Sequence, residues 1–128
     1  MAKTMSKKIL IVEDEEDLRD TLADRFTKEG YEVLQAKNGE EGFNMALKEK
    51  PAIILTDILM PKKHGIDMIK DIRSLESGKS IPIIVLSNLT DAEYTSDAIE
   101  EGVFSYLVKS DWSINDVVEM VEKRLSEK

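Results

Sequence analysis

The chain has 128 residues, of which 41% are hydrophobic and 34% are charged, a balance typical of one folded domain with a single core. Its formal net charge of -8 argues against binding to the phosphate backbone of nucleic acid, and the absence of cysteine excludes disulfides and thiolate metal sites. No apolar run approaches the roughly 18 residues of a membrane helix, so we expect a cytoplasmic protein with no membrane insertion.

The first third of the chain alternates between short β-branched runs and a helical apolar stripe. Residues 8–12 predict a buried strand, and residues 31–36 predict a second one. Between them, apolar residues recur four apart from Glu15 to Glu29 and predict a helix, which Gly30 would end as a C-terminal cap. The stripe that should face the core consists of Leu18, Leu22 and Phe26.

A second helix is predicted after residue 36. Asn38 is a suitable N-cap, and Glu41 stands three residues later as the reciprocal partner of a capping box. Pro51 would end this helix. The side chains expected to face the core are Phe43, Ala46 and Leu47.

The rest of the chain repeats the alternation of strands and helices. Further strands are predicted over residues 52–56, 82–86 and 103–108. Further helices are predicted up to about Leu75, over residues 91–101, and after the capping residue Ser113. The stripe of the last helix is Ile114, Val117, Val118, Val121 and Leu125. Five strands alternating with five helices predict a parallel sheet covered on both faces.

Polar side chains follow four of the predicted strands. In open parallel sheets, ligands bind outside the carboxyl ends of the strands. The residues at this edge are Glu13 and Asp14 after the first strand, Asp57 after the third, Ser87 after the fourth and Lys109 after the fifth. Each residue alone has an ordinary explanation. Glu13 and Asp14 could be favoured by the positive end of the following helix, Ser87 could be a turn residue, and Lys109 could be a surface lysine. Their coincidence at one edge indicates a functional site.

Three neighbouring carboxylates repel one another, and a hard divalent cation is the usual remedy. We expect Mg²⁺, held by Asp14 and Asp57, by the backbone carbonyl of Leu59, and by Glu13 through water. The cation would also reduce the repulsion between Asp57 and an incoming phosphoryl group.

The remaining two groups suit phosphoryl transfer, which depends on positioning and electrostatics. Lys109 and Ser87 would hold the phosphoryl oxygens. The acid in the sequence IILTDILMP, Asp57, is therefore predicted to be the nucleophile.

These motifs resemble the receiver domain of bacterial two-component response regulators, including chemotaxis regulators, over residues 7–125. The matching residues are Glu13-Asp14, Asp57-Ile58-Leu59-Met60-Pro61, Gly65, Ser87 and Lys109. The resemblance implies a flavodoxin-like α/β fold, with a doubly wound five-stranded parallel sheet in the order 2-1-3-4-5 and five flanking helices.

The resemblance also implies a signalling role. A histidine kinase or histidine phosphotransfer protein would donate a phosphoryl group to Asp57 in a magnesium-dependent reaction, and the domain would assist its own phosphorylation and dephosphorylation without being an enzyme. By the same resemblance, Ser87 is the switch hydroxyl and Tyr106 the aromatic switch residue. An unidentified downstream protein would recognise the switched surface. The chain is either a stand-alone regulator or part of a longer one.

One position departs from the family pattern. Ser110 follows Lys109 where the family usually has a proline, often after a cis peptide bond. A cis bond without proline costs about 3–4 kcal/mol, so the loop either retains that strain or is rebuilt in trans.

Three other functions remain open at this point. A flavin-binding flavodoxin would need a glycine- and hydroxyl-rich phosphate loop where residues 13–17 are acidic. A phosphatase of the haloacid dehalogenase type would need a second acid at the position of Leu59. A pseudo-receiver would act only by binding, and magnesium-dependent phosphorylation would distinguish it.

Overall fold

The computed structural model describes residues 7–57, 65–87, 105–108 and 113–126. The strands are β1 (Lys8–Val12), β2 (Glu32–Ala36), β3 (Ile53–Asp57), β4 (Ile83–Ser87) and β5 (Ser105–Val108). The helices are α1 (Glu16–Lys28), α2 (Gly39–Glu49), α3 (Gly65–Arg73) and the C-terminal helix (Ile114–Ser126). The helix predicted over residues 91–101 lies outside the described residues.

The strands form one parallel sheet in the order β2-β1-β3-β4-β5. From β1 the chain adds β2 on one side, and it then adds β3, β4 and β5 on the other side. The direction of strand addition therefore changes between β1 and β3. The prediction of a parallel flavodoxin-like α/β sheet is confirmed. Folds of this kind bind ligands at the carboxyl edge of the sheet, here beside β1 and β3.

Two apolar clusters cover the two faces of the sheet. Successive residues of a strand point to opposite faces, so β1, β2, β3 and β4 each contribute to both clusters. One cluster packs α2 and α3 against the face that includes Leu10 and Ile54. The other packs α1 and the C-terminal helix against the face that includes Ile9 and Leu55. The strands β1, β3 and β4 are largely apolar on both sides because helices bury both sides.

Helix α1 has the stripe and the stop signal that were predicted. Leu22 and Phe26 are buried, and Leu18 packs against the same cluster. Gly30 follows the helix with φ +99°, a left-handed conformation in which a Cβ would be strained. The amide of Gly30 donates to the carbonyl of Thr27 over 3.0 Å, which satisfies one of the open carbonyls at the helix end.

Helix α2 confirms the predicted cap and corrects the predicted buried face. The Asn38 side chain accepts a 2.8 Å hydrogen bond from the Glu41 amide. The Glu41 carboxylate accepts a 3.0 Å hydrogen bond from the backbone amide of Lys37, one residue before the amide that a capping box would use. Ala46 is buried, but Leu47 is 45% exposed, so its predicted place in the core is wrong. Leu47 lies about 100° around the helix from Ala46, away from the sheet.

Glycine is required at the closest approach of α2 to the sheet. A Cβ at Gly42 would lie 2.6 Å from the Met68 sulfur of α3 and 3.0 Å from a Val12 methyl of β1. Because real Cβ contacts are longer than this, any side chain at position 42 would push α2 away from both neighbours.

The connection between α3 and β4 is more ordered than predicted. Helix α3 ends at Arg73, two residues before the predicted end at about Leu75, and residues 76–78 form a short 3₁₀ helix within the expected polar loop. The Arg73 guanidinium donates to the carbonyls of Gly78 and Ile81 over 2.7 and 2.8 Å. These bonds hold the loop against the end of α3 shortly before β4 begins.

The C-terminal helix begins at the predicted cap. The Ser113 hydroxyl accepts from the Asp116 amide over 3.2 Å, and the Asp116 carboxylate accepts from the Ser113 amide over 2.9 Å. Val117, Val118 and Val121 are buried against the sheet. In the part of the chain that the structure describes, no helix has the length and apolar character needed to cross a membrane.

Candidate functional site at the acidic edge of the sheet

The register of the two central strands brings the acids together. Val12 of β1 pairs with Thr56 of β3, so Glu13 and Asp57 are the next residues along two adjacent parallel strands. Asp57 is the last residue of β3, and Asp14 follows Glu13 in the loop that leads into α1. Strand pairing alone therefore places two carboxylates side by side at the carboxyl edge.

Side-chain oxygens of Glu13, Asp14 and Asp57 lie within 4.8 Å of one another. Glu13 is 1% exposed and Asp57 is 4% exposed, whereas Asp14 is open to solvent. Two of the charges are therefore largely removed from water, which increases the repulsion among the three. The predicted convergence of these acids is confirmed.

Local hydrogen bonds fix the orientation of Glu13. One carboxylate oxygen, Oε2, accepts a 3.1 Å bond from the Glu15 amide at the start of α1. The Glu13 amide donates to the carbonyl of Ala36 over 3.0 Å and extends the pairing of β1 with β2. The backbone of Glu13 is therefore bonded to the sheet, and its side chain is bonded to the start of α1.

Two further residues support this edge, and the sequence analysis did not identify them. The Arg19 guanidinium donates to the Glu13 carbonyl over 2.9 Å. The hydroxyl of the buried Thr56 donates to the Asp57 carbonyl over 2.8 Å. The position of Arg19 one turn into α1 could have indicated its bond, because a side chain at this position can reach back to the preceding loop. Nothing in the sequence around Thr56 indicated its bond to the Asp57 carbonyl.

The donor set fits a hard divalent cation. Magnesium takes oxygen ligands at about 2.1 Å in an octahedron, so adjacent ligands are about 3 Å apart and opposite ligands about 4 Å apart. Two carboxylate oxygens within 4.8 Å of each other can reach such a spacing by a small contraction, and the third carboxylate can act through a water ligand. Exposure of Asp14 leaves room for the water ligands that Mg²⁺ retains.

The other predicted site residues are only partly within the described chain. Asp57 pairs with Leu86 of β4, so Ser87 ends the strand one residue beyond it, and Ser87 pairs with Val108 of β5. Lys109 follows Val108 directly in sequence. Lys109, the Lys109-Ser110 peptide and the Leu59 carbonyl lie outside the described residues, and only the backbone positions of Ser87 and Tyr106 are described.

A cavity of about 330 Å³ lies at the other edge of the sheet and contains none of the three clustered acids. Its lining includes Lys7 before β1, Tyr31 before β2 and Leu125 of the C-terminal helix. Burial raises the pKa of the Tyr31 phenol, and the carboxylates of Glu122 and Glu29 raise it further. The cavity is therefore separate from the clustered acids at the carboxyl edge.

Comparison with known families decides among the interpretations of this edge. Residues 9–122 match the family model described as the response regulator receiver domain. The chain belongs to this family. Receiver domains are signalling domains that accept a phosphoryl group on an aspartate and interact with histidine kinases or phosphotransfer proteins. The flavodoxin and haloacid dehalogenase alternatives are therefore excluded.

Individual relatives agree with the family assignment. The chain is 30% identical to sporulation initiation phosphotransferase F of Bacillus subtilis, covering 94% of this chain and 95% of that protein. It is 34% identical to the transcriptional regulatory protein PdtaR of Mycobacterium tuberculosis, covering 94% of this chain but only 57% of PdtaR. The chain thus spans little more than half of that longer regulator.

A solved structure shows the same fold with a cation. The receiver domain of the sensor histidine kinase PA1611 from Pseudomonas aeruginosa is similar with a TM-score of 0.87 and 22% identity, covering 96% of this chain and all of that one. That crystal structure is described with a magnesium ion coordinated in its active site cleft. At this identity the likeness establishes the fold.

Proposed function

We propose that Asp57 is the phosphoacceptor of this receiver domain, which we assign to residues 7–125. The observation that carries the proposal is the buried position of Asp57 at the end of β3, with Glu13 and Asp14 beside it. A carboxylate can attack a phosphorus atom when its charge and orientation are controlled. Strand pairing and the Thr56 hydrogen bond to the Asp57 carbonyl supply the orientation.

The proposed cofactor is Mg²⁺, bound by Asp14, Asp57 and the Leu59 carbonyl, with Glu13 acting through water. When bound, the cation supplies positive charge that offsets the repulsion between these carboxylates and a phosphoryl donor. Glu13 serves as an oriented acceptor for a metal-bound water because its other oxygen is tied to the Glu15 amide.

Lys109 and Ser87 are proposed to hold the phosphoryl oxygens. The register supports this assignment, since Ser87 ends the strand beside Asp57 and Lys109 follows the residue paired with Ser87. An ammonium group and a hydroxyl placed at these two strand ends would stabilise charge on the transferred group. No covalent step is required of either residue.

The proposed partners follow from the receiver family. A histidine kinase or histidine phosphotransfer protein donates the phosphoryl group, and a downstream protein recognises the result in the cytoplasm, without direct contact to nucleic acid. The domain assists its own phosphorylation and dephosphorylation and is not an enzyme for another substrate. The helix predicted over residues 91–101 completes the proposed set of five around the sheet.

Phosphorylation by a small-molecule donor tests the proposed function. Acetyl phosphate and Mg²⁺ are expected to add the mass of one phosphoryl group to the intact protein, and chelation of the metal with EDTA should prevent the addition. A pseudo-receiver would show no added mass under either condition. Equal phosphorylation with and without Mg²⁺ would contradict the proposed role of the acidic cluster.

Asp14→Ala is expected to weaken Mg²⁺ binding by about tenfold or more, because it removes a direct ligand. The dissociation constant can be measured from backbone NMR shifts during a magnesium titration. Asp17→Ala is the matched control, since Asp17 is an exposed acid in the first turn of α1 and lies outside the described cluster. Equal magnesium affinity in the two variants would refute the ligand assignment.

Ser87 and Tyr106 are proposed to transmit phosphorylation to the surface formed by the helix predicted over residues 91–101, β5 and the C-terminal helix. A phosphoryl group on Asp57 would draw the Ser87 hydroxyl inward, and the Tyr106 ring would rotate into the vacated space. A change of a few kcal/mol in the free-energy difference between the two conformations is enough to change which surface most molecules present to a partner.

Beryllofluoride, a phosphoryl mimic, is therefore expected to shift backbone NMR signals over residues 90–112 in the parent protein. In Ser87→Ala, the shifts beyond the immediate site should be far smaller, because the donor that responds to the mimic is missing. If the long-range shifts are equal in both proteins, the signal leaves Asp57 by another route.

A further inference from the structure

The loop between β1 and α1 is fastened by an arginine from within the helix that follows it. The half-buried Arg19 donates from Nη1 to the Glu13 carbonyl over 2.9 Å. Its own amide donates to the Glu15 carbonyl over 2.9 Å as part of the first turn of α1. Arg19 therefore bonds to the loop at two points, one on each side of Asp14.

These bonds bear directly on Asp14. The Glu13 carbonyl and the Asp14 amide belong to one planar peptide unit, so holding the carbonyl oxygen also fixes the plane from which the Asp14 side chain departs. Asp14 is exposed and, unlike Glu13, has little surrounding structure to orient it. The backbone of the loop is thus the main control on where its carboxylate points.

We propose that Arg19 is a positioning residue for the cation site, acting on Asp14 through the Glu13-Asp14 peptide unit. This inference rests on the proposed function, because the cation site is part of it. Arg19 touches neither the cation nor the phosphoryl group in this account. It keeps Asp14 at the distance from Glu13 and Asp57 that shared coordination requires.

The direction in which Mg²⁺ affinity changes when Arg19 is replaced distinguishes a positioning role from a purely electrostatic one. Arg19 carries a positive charge close to a site for a cation, so removing that charge should by itself tighten Mg²⁺ binding. Loss of an oriented ligand should weaken binding, by about tenfold where a supporting hydrogen bond is removed. The two explanations predict opposite changes in the dissociation constant.

Arg19→Gln and Arg25→Gln make a matched pair for this test. Both remove one guanidinium from α1, but Arg25 lies near the other end of the helix, where its Nε bonds the Glu29 carboxylate over 2.8 Å. In magnesium titrations followed by NMR, Arg19→Gln should weaken binding about tenfold, while Arg25→Gln should stay within about twofold of the parent. Binding by Arg19→Gln that equals or exceeds that of the parent would overturn the proposal.

A second variant and a metal-free measurement test whether weaker magnesium binding results from loss of the bond that holds the loop. Arg19→Met keeps an unbranched side chain on the helix without the charge or the donors, and it should weaken magnesium binding as glutamine does. Without any metal, the Glu15 amide, which bonds the Glu13 carboxylate, should exchange its hydrogen faster in both Arg19 variants than in Arg25→Gln. Unchanged exchange would show that Arg19 does not hold the loop.

The outcome for Arg19 can be distinguished from the outcome for the site itself. If the parent protein binds no Mg²⁺, the proposed cation site fails whatever Arg19 does. If the parent binds Mg²⁺ and the Arg19 variants bind it equally well, the site stands and the positioning role fails. Arg19→Lys, which keeps the charge and one donor, should recover part of the affinity lost in the glutamine variant.

Discussion

Asp57→Asn is expected to accept no phosphoryl group from acetyl phosphate, even with saturating Mg²⁺. Asparagine has nearly the same shape, but its amide is a far weaker nucleophile than a carboxylate, so the reaction loses its attacking atom while the fold is kept. Intact mass after incubation measures the loss. Full phosphorylation of the variant would mean that another residue is the acceptor.

The same substitution should make the metal-free protein more stable. Asp57 is 4% exposed and lies within 4.8 Å of two other carboxylates, so a neutral amide removes a buried charge from a repulsive group. We expect a gain on the order of 1 kcal/mol in the free energy of unfolding without Mg²⁺. The stabilisation that Mg²⁺ gives the parent by binding the folded state should shrink in the variant.

Asp14→Asn is the control for both effects. It removes one charge from the same cluster, but from its exposed member and not from the proposed acceptor. It should therefore raise metal-free stability less and slow phosphorylation without abolishing it. If Asp14→Asn lost phosphorylation completely while Asp57→Asn retained it, the roles of the two residues would be reversed.

Gly42→Val is expected to cost about 3 kcal/mol of folding free energy, a large part of the stability of a domain this size. The Cβ alone would lie 2.6 Å from the Met68 sulfur and 3.0 Å from a Val12 methyl, and valine adds two more methyl groups to the same space. Met68 and Val12 are fully buried, so neither can move into solvent. Urea denaturation would measure the loss.

Asn44→Val provides the comparison for Gly42→Val. Asn44 is exposed on the same helix, so valine there changes helix propensity without overpacking and should alter stability by only a few tenths of a kcal/mol. Gly42→Ala should fall between the two, because alanine favours a helix but still crowds Met68. Equal stability of Gly42→Val and Asn44→Val would show that the helices can separate freely.

Signals that depend on backbone chemistry were the most reliable predictors of the fold. Asn38, Ser113 and Gly30 mark helix ends because their hydrogen bonds and dihedral angles are local, and the structure places each as predicted. Packing was harder to anticipate. The buried face of α2 includes Ala46, as predicted, and Gly42, which has no side chain to indicate burial, whereas the larger Leu47 was wrongly assigned to this face.

The candidate site was predictable where it depends on topology. Once the strands were recognised as parallel, their carboxyl ends had to meet at one edge, and Glu13, Asp14 and Asp57 are found together there. The unequal burial of the three acids was not predictable, since it depends on loop geometry. The bond from Thr56 ends on a backbone carbonyl that no sequence pattern indicates, whereas the position of Arg19 one turn into α1 could have indicated its bond to the preceding loop.

The identity of the acceptor residue can be determined by locating the phosphoryl group within the parent protein. The protein would be incubated with acetyl phosphate, with Mg²⁺ or with EDTA, then treated with borohydride, which reduces an aspartyl phosphate to homoserine, and digested for peptide mass mapping. We predict homoserine at position 57 in the magnesium sample and unmodified aspartate there in the EDTA sample. Homoserine at another aspartate, or at position 57 in equal amount without magnesium, would show that Asp57 is not the magnesium-dependent acceptor.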